Sequence, residues 1–150
     1  MWSQRRVVDY ALAKRAVVRS LSSGRASRSD VCDAQPYLLR AAKHFGQPTT
    51  RLCPVCEREN VTEVTYVYGD ALGRHAGQAK VVSDLAVMAQ DYDEFRVYVV
   101  EVCQSCSWNH LTVSFVLGNG PPDQDDSRTG PSEGGAETAG HPDDDARTRE

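Results

Sequence analysis

The sequence predicts an α+β protein with three parts. A unit of two or three helices occupies residues 1–50. A three-stranded antiparallel sheet with paired cysteines and a helical insertion at 69–94 occupies residues 51–118, and a disordered acidic tail occupies residues 119–150. Three observations predict this order. Apolar residues recur at helical spacing in the first third, the period changes to two in the middle, and one Cys-x-x-Cys pair stands near each end of the middle part.

The helical unit begins with an apolar pattern that only Lys14 interrupts. Its members are Val7, Tyr10, Ala11, Val18 and Leu21. We expect Gly24 to end this first helix, the segment RSDVCDA to form a short second helix, and Pro36 to begin a third, PYLLRAAKHFG. Helix, short helix and helix resemble a helix-turn-helix in outline. DNA reading is therefore one interpretation, and an ordinary helical hairpin is the other.

A period of two predicts three strands. They are VTEVTYVY (61–68), FRVYVVEV (95–102) and HLTVSFVL (110–117). The second is apolar on both faces, so we place it in the middle of the sheet. The third alternates and should turn one face to water. Between the first two strands, the segment VVSDLAVMAQDY is expected to form a short helix.

Charge is divided unevenly along the chain, although the net charge is only −4. Residues 1–52 carry ten Lys or Arg against three Asp or Glu, whereas residues 53–119 carry four against nine and residues 120–150 three against nine. This segregation predicts a basic surface for an anionic partner, with a solvated helical face as the plain alternative. Residues 119–150 contain no Val, Ile, Leu, Met, Phe, Trp, Tyr or Cys, so they cannot bury enough apolar surface to fold.

Four paired cysteines predict a metal site. They are Cys53, Cys56, Cys103 and Cys106. No run of 18 apolar residues is present and the N-terminus is too charged for a secretory signal, so we expect a cytoplasmic protein that crosses no membrane, with reduced thiols. Two Cys-x-x-Cys turns together supply four thiolates, the closed shell of one structural zinc ion.

The 46 residues between the two pairs do not weaken the prediction of a metal site. The longer loop costs about 1 kcal/mol in closure entropy, whereas structural zinc contributes roughly 10–16 kcal/mol of apparent binding energy in small peptides. A closed shell also leaves no coordination position for a substrate, and no nucleotide-binding, metalloprotease or hydrolase motif is present. The sequence therefore predicts a non-enzyme.

The order CPVC, strand, insertion, strand, CQSC, strand resembles a zinc ribbon over residues 51–118. One departure is that Glu57 and Ser107 follow the second cysteine of each pair, where ribbons often carry Gly. The phrases VVDYALAKRAVV, VCDAQPYLLRAA, VTYVYGD and FRVYVVEVC…WNHL also resemble a family of uncharacterised actinobacterial proteins, over residues 5–118. That resemblance implies an actinobacterial, cytosolic origin and supplies no activity.

Several interpretations of the cysteines and their neighbours stay open. The same four ligands suit iron in a rubredoxin-like site, and a dithiol pair or an oxidation switch that expels zinc is a further alternative. His110 is a possible substitute ligand or an ordinary strand residue. Cys32 is interpreted as a small buried hydrophobe on a helix. Trp108 either covers the sulfurs or stands exposed as a stacking platform for a base.

The functional prediction is a structural-zinc binding module that associates with nucleic acid or with a transcription or translation machine. The candidate contacts are Arg15, Arg19, Arg25, Arg28, Arg40, Lys43 and Trp108. One alternative is a protein–protein adaptor that uses the sheet edge and the insertion at 69–94. Another is a thiol or zinc redox sensor. Salt dependence separates the first two, because phosphate contacts weaken steeply with ionic strength.

Overall fold

A computed structural model of the chain describes residues 4–121, which form one antiparallel sheet with helices on both faces. The strands are β1 Arg5–Asp9, β2 Gln47–Leu52, β3 Asn60–Tyr68, β4 Ala79–Lys80, β5 Phe95–Val102 and β6 Asn109–Leu117. The helices are α1 Ala11–Ser22, α2 Arg28–Val31, α3 Pro36–Phe45 and α4 Val82–Asp91, with a 3₁₀ helix at Asp70–His75. Strand order is β1-β6-β5-β3-β2, and the short β4 also pairs with β3.

The predicted fold class is wrong. The structure has a six-stranded sheet in place of a helical unit followed by a three-stranded sheet. Strands lie at the three predicted positions, with β5 between β3 and β6, but the N-terminal third adds β1 beside β6 and β2 beside β3. The first helix begins at Ala11 and not near Val7, because Arg5–Asp9 is paired with β6 as β1. The carboxylate of Asp9 accepts a hydrogen bond from the Ala11 N–H at 2.7 Å, at the start of the helix.

The sequence pattern does not predict the two additional strands, because both lie at the edges of the sheet. Four of the five β1 residues and five of the six β2 residues are exposed, so neither strand shows the apolar alternation of a half-buried strand. The sequence pattern places Pro48 just after a helix. It lies inside β2, where an edge strand tolerates a residue that lacks an N–H donor.

Side chains that alternate along β3 and β5 divide the core between two faces of the sheet. On one face, which we call the α3 face, Ala41 and Ala42 of α3 pack on Val64, Tyr66 and Val102. At the junction of α3 and β2, a Cβ atom on Gly46 would collide with the Ala42 carbonyl oxygen, so the chain can turn tightly there only with glycine.

The opposite face, which we call the α1 face, carries two clusters. Helix α4 packs through Leu85 and Met88 against Val67 and Val97. Helix α1 packs near Val61 and the cysteine pairs through partly buried residues, namely Val17, Val18 and Leu21. No helix within residues 4–121 is long and apolar enough to cross a membrane. The predicted disordered tail, residues 119–150, lies outside the described residues from position 122 onward.

Candidate metal centre

The sheet brings the two cysteine pairs to one end. Cys53 and Cys56 lie in the turn between β2 and β3, and Cys103 and Cys106 lie in the turn between β5 and β6. Strands β3 and β5 are antiparallel neighbours, with Thr62 opposite Val102, so the start of β3 and the end of β5 meet. Each turn therefore faces the other across a single pair of strands.

The two turns share one hydrogen-bonding pattern. In the first, the Glu57 N–H donates to the Cys53 carbonyl at 3.1 Å. In the second, the Ser107 N–H donates to the Cys103 carbonyl at 2.9 Å. Glu57 and Ser107 also both adopt left-handed backbone conformations, with φ of 52° and 70°. The residues that depart from the glycine of a usual ribbon thus adopt the conformation that glycine would favour, at a cost of about 1–2 kcal/mol each.

The four sulfur atoms converge on one point. All four Sγ atoms lie within 4.8 Å of one another, and they are paired across the turns, with Cys53 to Cys106 at 3.7 Å and Cys56 to Cys103 at 3.6 Å. Four sulfurs at about 2.3 Å from a tetrahedral zinc ion would be separated by about 3.8 Å. These cysteines can therefore hold a metal ion, and none of them forms a disulfide.

The environment of the cluster is uneven in burial and charge. Cys53 and Cys103 are fully buried, whereas Cys56 and Cys106 are half-buried. A hydrogen bond from the backbone of Arg58 lowers the pKa of the Cys56 thiol to about 7. Burial raises the pKa values of the Cys103 and Cys106 thiols, because a desolvated thiolate is costly. A cation between the sulfurs would stabilise the thiolate form of all four.

Cys32 lies beside this cluster, so it is more than the small buried hydrophobe that the sequence suggests. Its Sγ atom is 3.7 Å from the Sγ atom of Cys106, with the Cys32 thiol as the donor, and the residue is half-buried. Cys32 follows α2 directly and joins the apolar cluster that contains Cys53, Cys103 and Trp108. Sequence reasoning misses this contact because 74 positions separate the two cysteines and no spacing rule connects them.

A buried carboxylate supports the second turn from the α1 face. Glu101 has 0% side-chain exposure and accepts a hydrogen bond from Trp108 Nε1 at 3.0 Å. Lys14 of α1 reaches the same carboxylate at 2.7 Å, and Arg51 approaches it at 3.5 Å while binding Glu63 at 2.8 Å. The interruption of the apolar pattern at Lys14 thus has a structural reason, since this side chain neutralises a buried charge.

The structure does not place Trp108 as an exposed stacking platform or His110 as a substitute metal ligand. Trp108 is 0% exposed, so its ring cannot serve as an open stacking platform, and it covers the cysteines in the same apolar cluster. His110 stacks on Trp108 with ring centroids 5.8 Å apart, and its Nδ1 lies 2.7 Å from the Leu111 carbonyl. Within residues 4–121, the group that can hold a metal contains the four cysteines and not His110.

The cationic residues predicted to contact a partner fall on two sides of the sheet. Arg15, Arg19, Arg25 and Arg28 lie on α1, on α2 and in the loop between them, on the α1 face. Arg40 and Lys43 are exposed on α3, on the opposite face. The structure therefore places four arginines on α1, α2 and the loop between them, whose apolar residues pack against the cysteine cluster, and the other two cations on the opposite face of the sheet.

This geometry defines a class of protein, an antiparallel sheet that holds four cysteines at one end in two matched turns. The chain belongs to a family of unknown function (DUF5318), whose profile matches residues 1–131. It is 46% identical over 132 residues to the "Uncharacterized protein Mb0050" of Mycobacterium bovis and to the "Uncharacterized protein Rv0049" of Mycobacterium tuberculosis. Each alignment covers 88% of this chain and 93% of the relative.

The resemblance to an uncharacterised actinobacterial family is thus confirmed. No solved structure matches the chain. The cysteine cluster is consistent with a zinc ribbon.

The left-handed residues of the turns give a first prediction. Ser107→Gly should raise the free energy of unfolding by about 0.5–1 kcal/mol. Glycine has no Cβ atom and so removes the strain of the left-handed backbone at φ 70°, and part of this stabilisation is offset because glycine loses more conformational entropy on folding. Ser105→Gly is the matched control in the same turn, since Ser105 is exposed and has no positive φ. Denaturant unfolding should show a higher free energy of unfolding for Ser107→Gly and a lower one for Ser105→Gly than for the wild-type protein. Equal destabilisation would contradict the strain at Ser107.

Proposed function

We propose that this protein is a non-enzymatic binding module in which four cysteines hold one structural zinc ion and the arginine-bearing α1 face binds nucleic acid. The observation that carries the zinc is the convergence of four Sγ atoms within 4.8 Å, with cross-turn distances close to the edge of a zinc–sulfur tetrahedron. Zinc is preferred to iron because the proposed role is structural and needs no change of oxidation state. Four thiolates close the shell, which supports a structural role and not catalysis.

The position of the helices supports nucleic acid as the partner. Arg15 and Arg19 are one turn apart on α1, so their side chains lie on the same side of that helix. Arg25 and Arg28 follow in the loop and at the start of α2, on the layer that packs against the cysteine turns. A zinc ion that fixes the turns would therefore also fix the layer that presents the arginines. Guanidinium groups bind phosphates through paired donors.

Co-purification tests the partner directly. The tagged full-length protein is recovered from its native host with and without nuclease, and the bound material is identified. The proposal predicts RNA or DNA, together with proteins that are lost after nuclease treatment. Proteins that remain bound after nuclease, with no nucleic acid recovered, would contradict the proposal.

The four arginines give a prediction with an internal control. If each arginine contacts one phosphate, raising the salt concentration from 50 to 200 mM should weaken the affinity for a mixed-sequence RNA or DNA by about a hundredfold. Changing Arg15, Arg19, Arg25 and Arg28 to Gln should remove most of that salt dependence, by roughly one unit of log–log slope for each arginine replaced. Fluorescence anisotropy measures both quantities.

Arg40→Gln with Lys43→Gln is the matched control, because these cations lie on the α3 face. We expect this pair to leave the salt slope nearly unchanged. If the α3 pair of substitutions reduced the salt slope more than the four α1-face substitutions, the binding surface would lie on the α3 face, which would contradict the proposal.

A second candidate function, a protein–protein adaptor, is favoured by an aromatic groove on the α3 face. The groove has a volume of about 610 Å³, and its lining consists of Tyr66, Tyr68, Tyr98, Val100, Asn109 and Leu111. Tyr68 and Tyr98 meet edge to face at 5.5 Å, and Tyr68 is 45% exposed. No carboxylate or cation is among these lining residues, which suits an uncharged peptide segment. A partner that survives nuclease and high salt would support this function.

A further inference from the structure

We propose that Cys32 and Cys106 form a redox-modification site, in which a hydroperoxide joins them in a disulfide and the metal is released. The inference rests on the proposed zinc site and concerns the one cysteine outside the four-sulfur group. Cys32 then has two roles. In the reduced protein its thiol donates a hydrogen bond to the Cys106 sulfur, and in the oxidised protein it is the resolving thiol.

Contacts on both sides of Cys32 hold it against the second turn. The Cys32 N–H donates to the Arg28 carbonyl at 2.8 Å, which closes the short helix α2. Two positions later, the Ala34 N–H donates to the Ser107 carbonyl at 3.0 Å. Between them, Asp33 accepts a hydrogen bond from the Asn109 side chain at 2.9 Å. The Cys32 segment is therefore attached to residues that closely follow Cys106, and these attachments keep the two thiols side by side.

Distance and exposure select Cys106 as the partner. The two Sγ atoms are 3.7 Å apart, and a disulfide would bring them to about 2.05 Å. Cys53 and Cys103 are fully buried, whereas Cys32 and Cys106 are half-buried, so a small oxidant reaches this pair from solvent. Each half-buried ligand has a buried cross-turn neighbour, Cys103 for Cys56 at 3.6 Å and Cys53 for Cys106 at 3.7 Å, but Cys106 also has the half-buried Cys32 at 3.7 Å.

The chemistry balances as a two-electron oxidation. The Cys106 thiolate attacks the distal oxygen of the hydroperoxide, the O–O bond breaks, and Cys106 becomes a sulfenic acid, while the leaving hydroxide or alkoxide takes a proton from solvent and departs as water or an alcohol. The Cys32 sulfur then attacks the Cys106 sulfur. The S–S bond forms, the S–O bond breaks, and the hydroxyl leaves with the Cys32 proton as a molecule of water. Two thiols are oxidised and one peroxide is reduced.

Loss of Cys106 as a ligand leaves three thiolates around the metal. With three thiolates and a water in the fourth position the site holds zinc more weakly than with four thiolates, and zinc is lost to solvent or to a chelator. The second turn also carries Trp108 and the attachments of the Cys32 segment, so the change reaches the arginine-bearing layer of α1 and α2. Reduction by a dithiol restores both thiols and the capacity to bind metal.

Peroxide titration of the zinc-loaded full-length protein tests this site. Zinc release is followed with a chromogenic chelator, and disulfides are mapped by peptide mass spectrometry at each point. We expect one Cys32–Cys106 disulfide for each zinc ion released. Cys32→Ser should bind the same amount of zinc, because serine keeps the size and the donor, and should release it roughly tenfold more slowly under peroxide because no resolving thiol is present.

The outcomes separate this inference from the proposed function. Cys32→Ser that binds zinc and loses it at the wild-type rate would overturn the resolving role while leaving the structural zinc intact. Disulfides found only within Cys53–Cys56 or Cys103–Cys106 would do the same. Protein that binds no zinc in either form, with its thiols fully reduced, would overturn the proposed function and with it the release of metal.

Discussion

Cys103→Ser is expected to abolish metal binding and to unfold the cysteine end of the sheet. Cys103 is fully buried, its sulfur faces Cys56 at 3.6 Å, and it lies directly after the central strand β5. A serine there removes one of four thiolates from the shell and leaves a hydroxyl in an apolar cluster. Structural zinc contributes roughly 10–16 kcal/mol of apparent binding energy in small peptides. That is comparable to the whole stability of a domain, about 5–15 kcal/mol.

Metal content by mass spectrometry and near-ultraviolet circular dichroism measure the two consequences. Cys32→Ser is the matched control. It also replaces a cysteine of the same apolar cluster, but one outside the four-sulfur group, and should retain metal. A Cys103→Ser protein that keeps both its metal content and its fold would contradict the metal site.

Glu101→Leu is expected to lower the free energy of unfolding by about 3–5 kcal/mol, the usual cost of removing one member of a buried ion pair. The substitution removes the carboxylate partner of Lys14, whose side chain is 29% exposed, and deprives the buried Trp108 Nε1 of its acceptor. The double variant Lys14→Met with Glu101→Leu should lose less free energy of unfolding than the sum of the losses in the two single variants, because both members of the ion pair are then removed. Denaturant unfolding of the wild-type protein, the two single variants and the double variant gives the coupling energy.

Glu63→Gln is the control for this experiment. Glu63 binds Arg51 as Glu101 does, but it is 30% exposed, so its loss should cost no more than about 1 kcal/mol. Equal losses for Glu63→Gln and Glu101→Leu, or a coupling energy of zero, would show that Glu101 does not join α1 to the second turn.

The cysteine site is accessible to sequence reasoning because its information is local. Each Cys-x-x-Cys turn specifies its own geometry, and the two strands with strong β-strand composition, β3 and β5, bring the turns together. Neither Glu nor Ser favours a left-handed backbone, so the residue types of Glu57 and Ser107 do not predict this conformation. Only their place directly after the second cysteine of each pair indicates it. The identity of the candidate ligands can therefore be predicted, while the strain in the turns cannot.

The remainder of the fold depends on long-range contacts that leave little trace in the sequence. The edge strands β1 and β2 are mostly exposed, so no apolar alternation reveals them. The contact of Cys32 with Cys106 spans 74 positions. The pair formed by Lys14 and Glu101 does leave two signals, a cation on an apolar helix stripe and a carboxylate in an apolar strand. Neither signal is informative alone, and only the packing of α1 on the sheet explains both.

X-ray absorption at the zinc edge of the purified full-length protein, with metal stoichiometry measured on the same sample, tests the central claim most directly. We expect one zinc ion per chain, with four sulfur neighbours at about 2.3 Å and no nitrogen or oxygen in the shell. Iron in the same four-sulfur shell would contradict zinc as the metal. A shell with fewer than four sulfurs, or protein that takes up no metal when its thiols are reduced, would contradict the site itself.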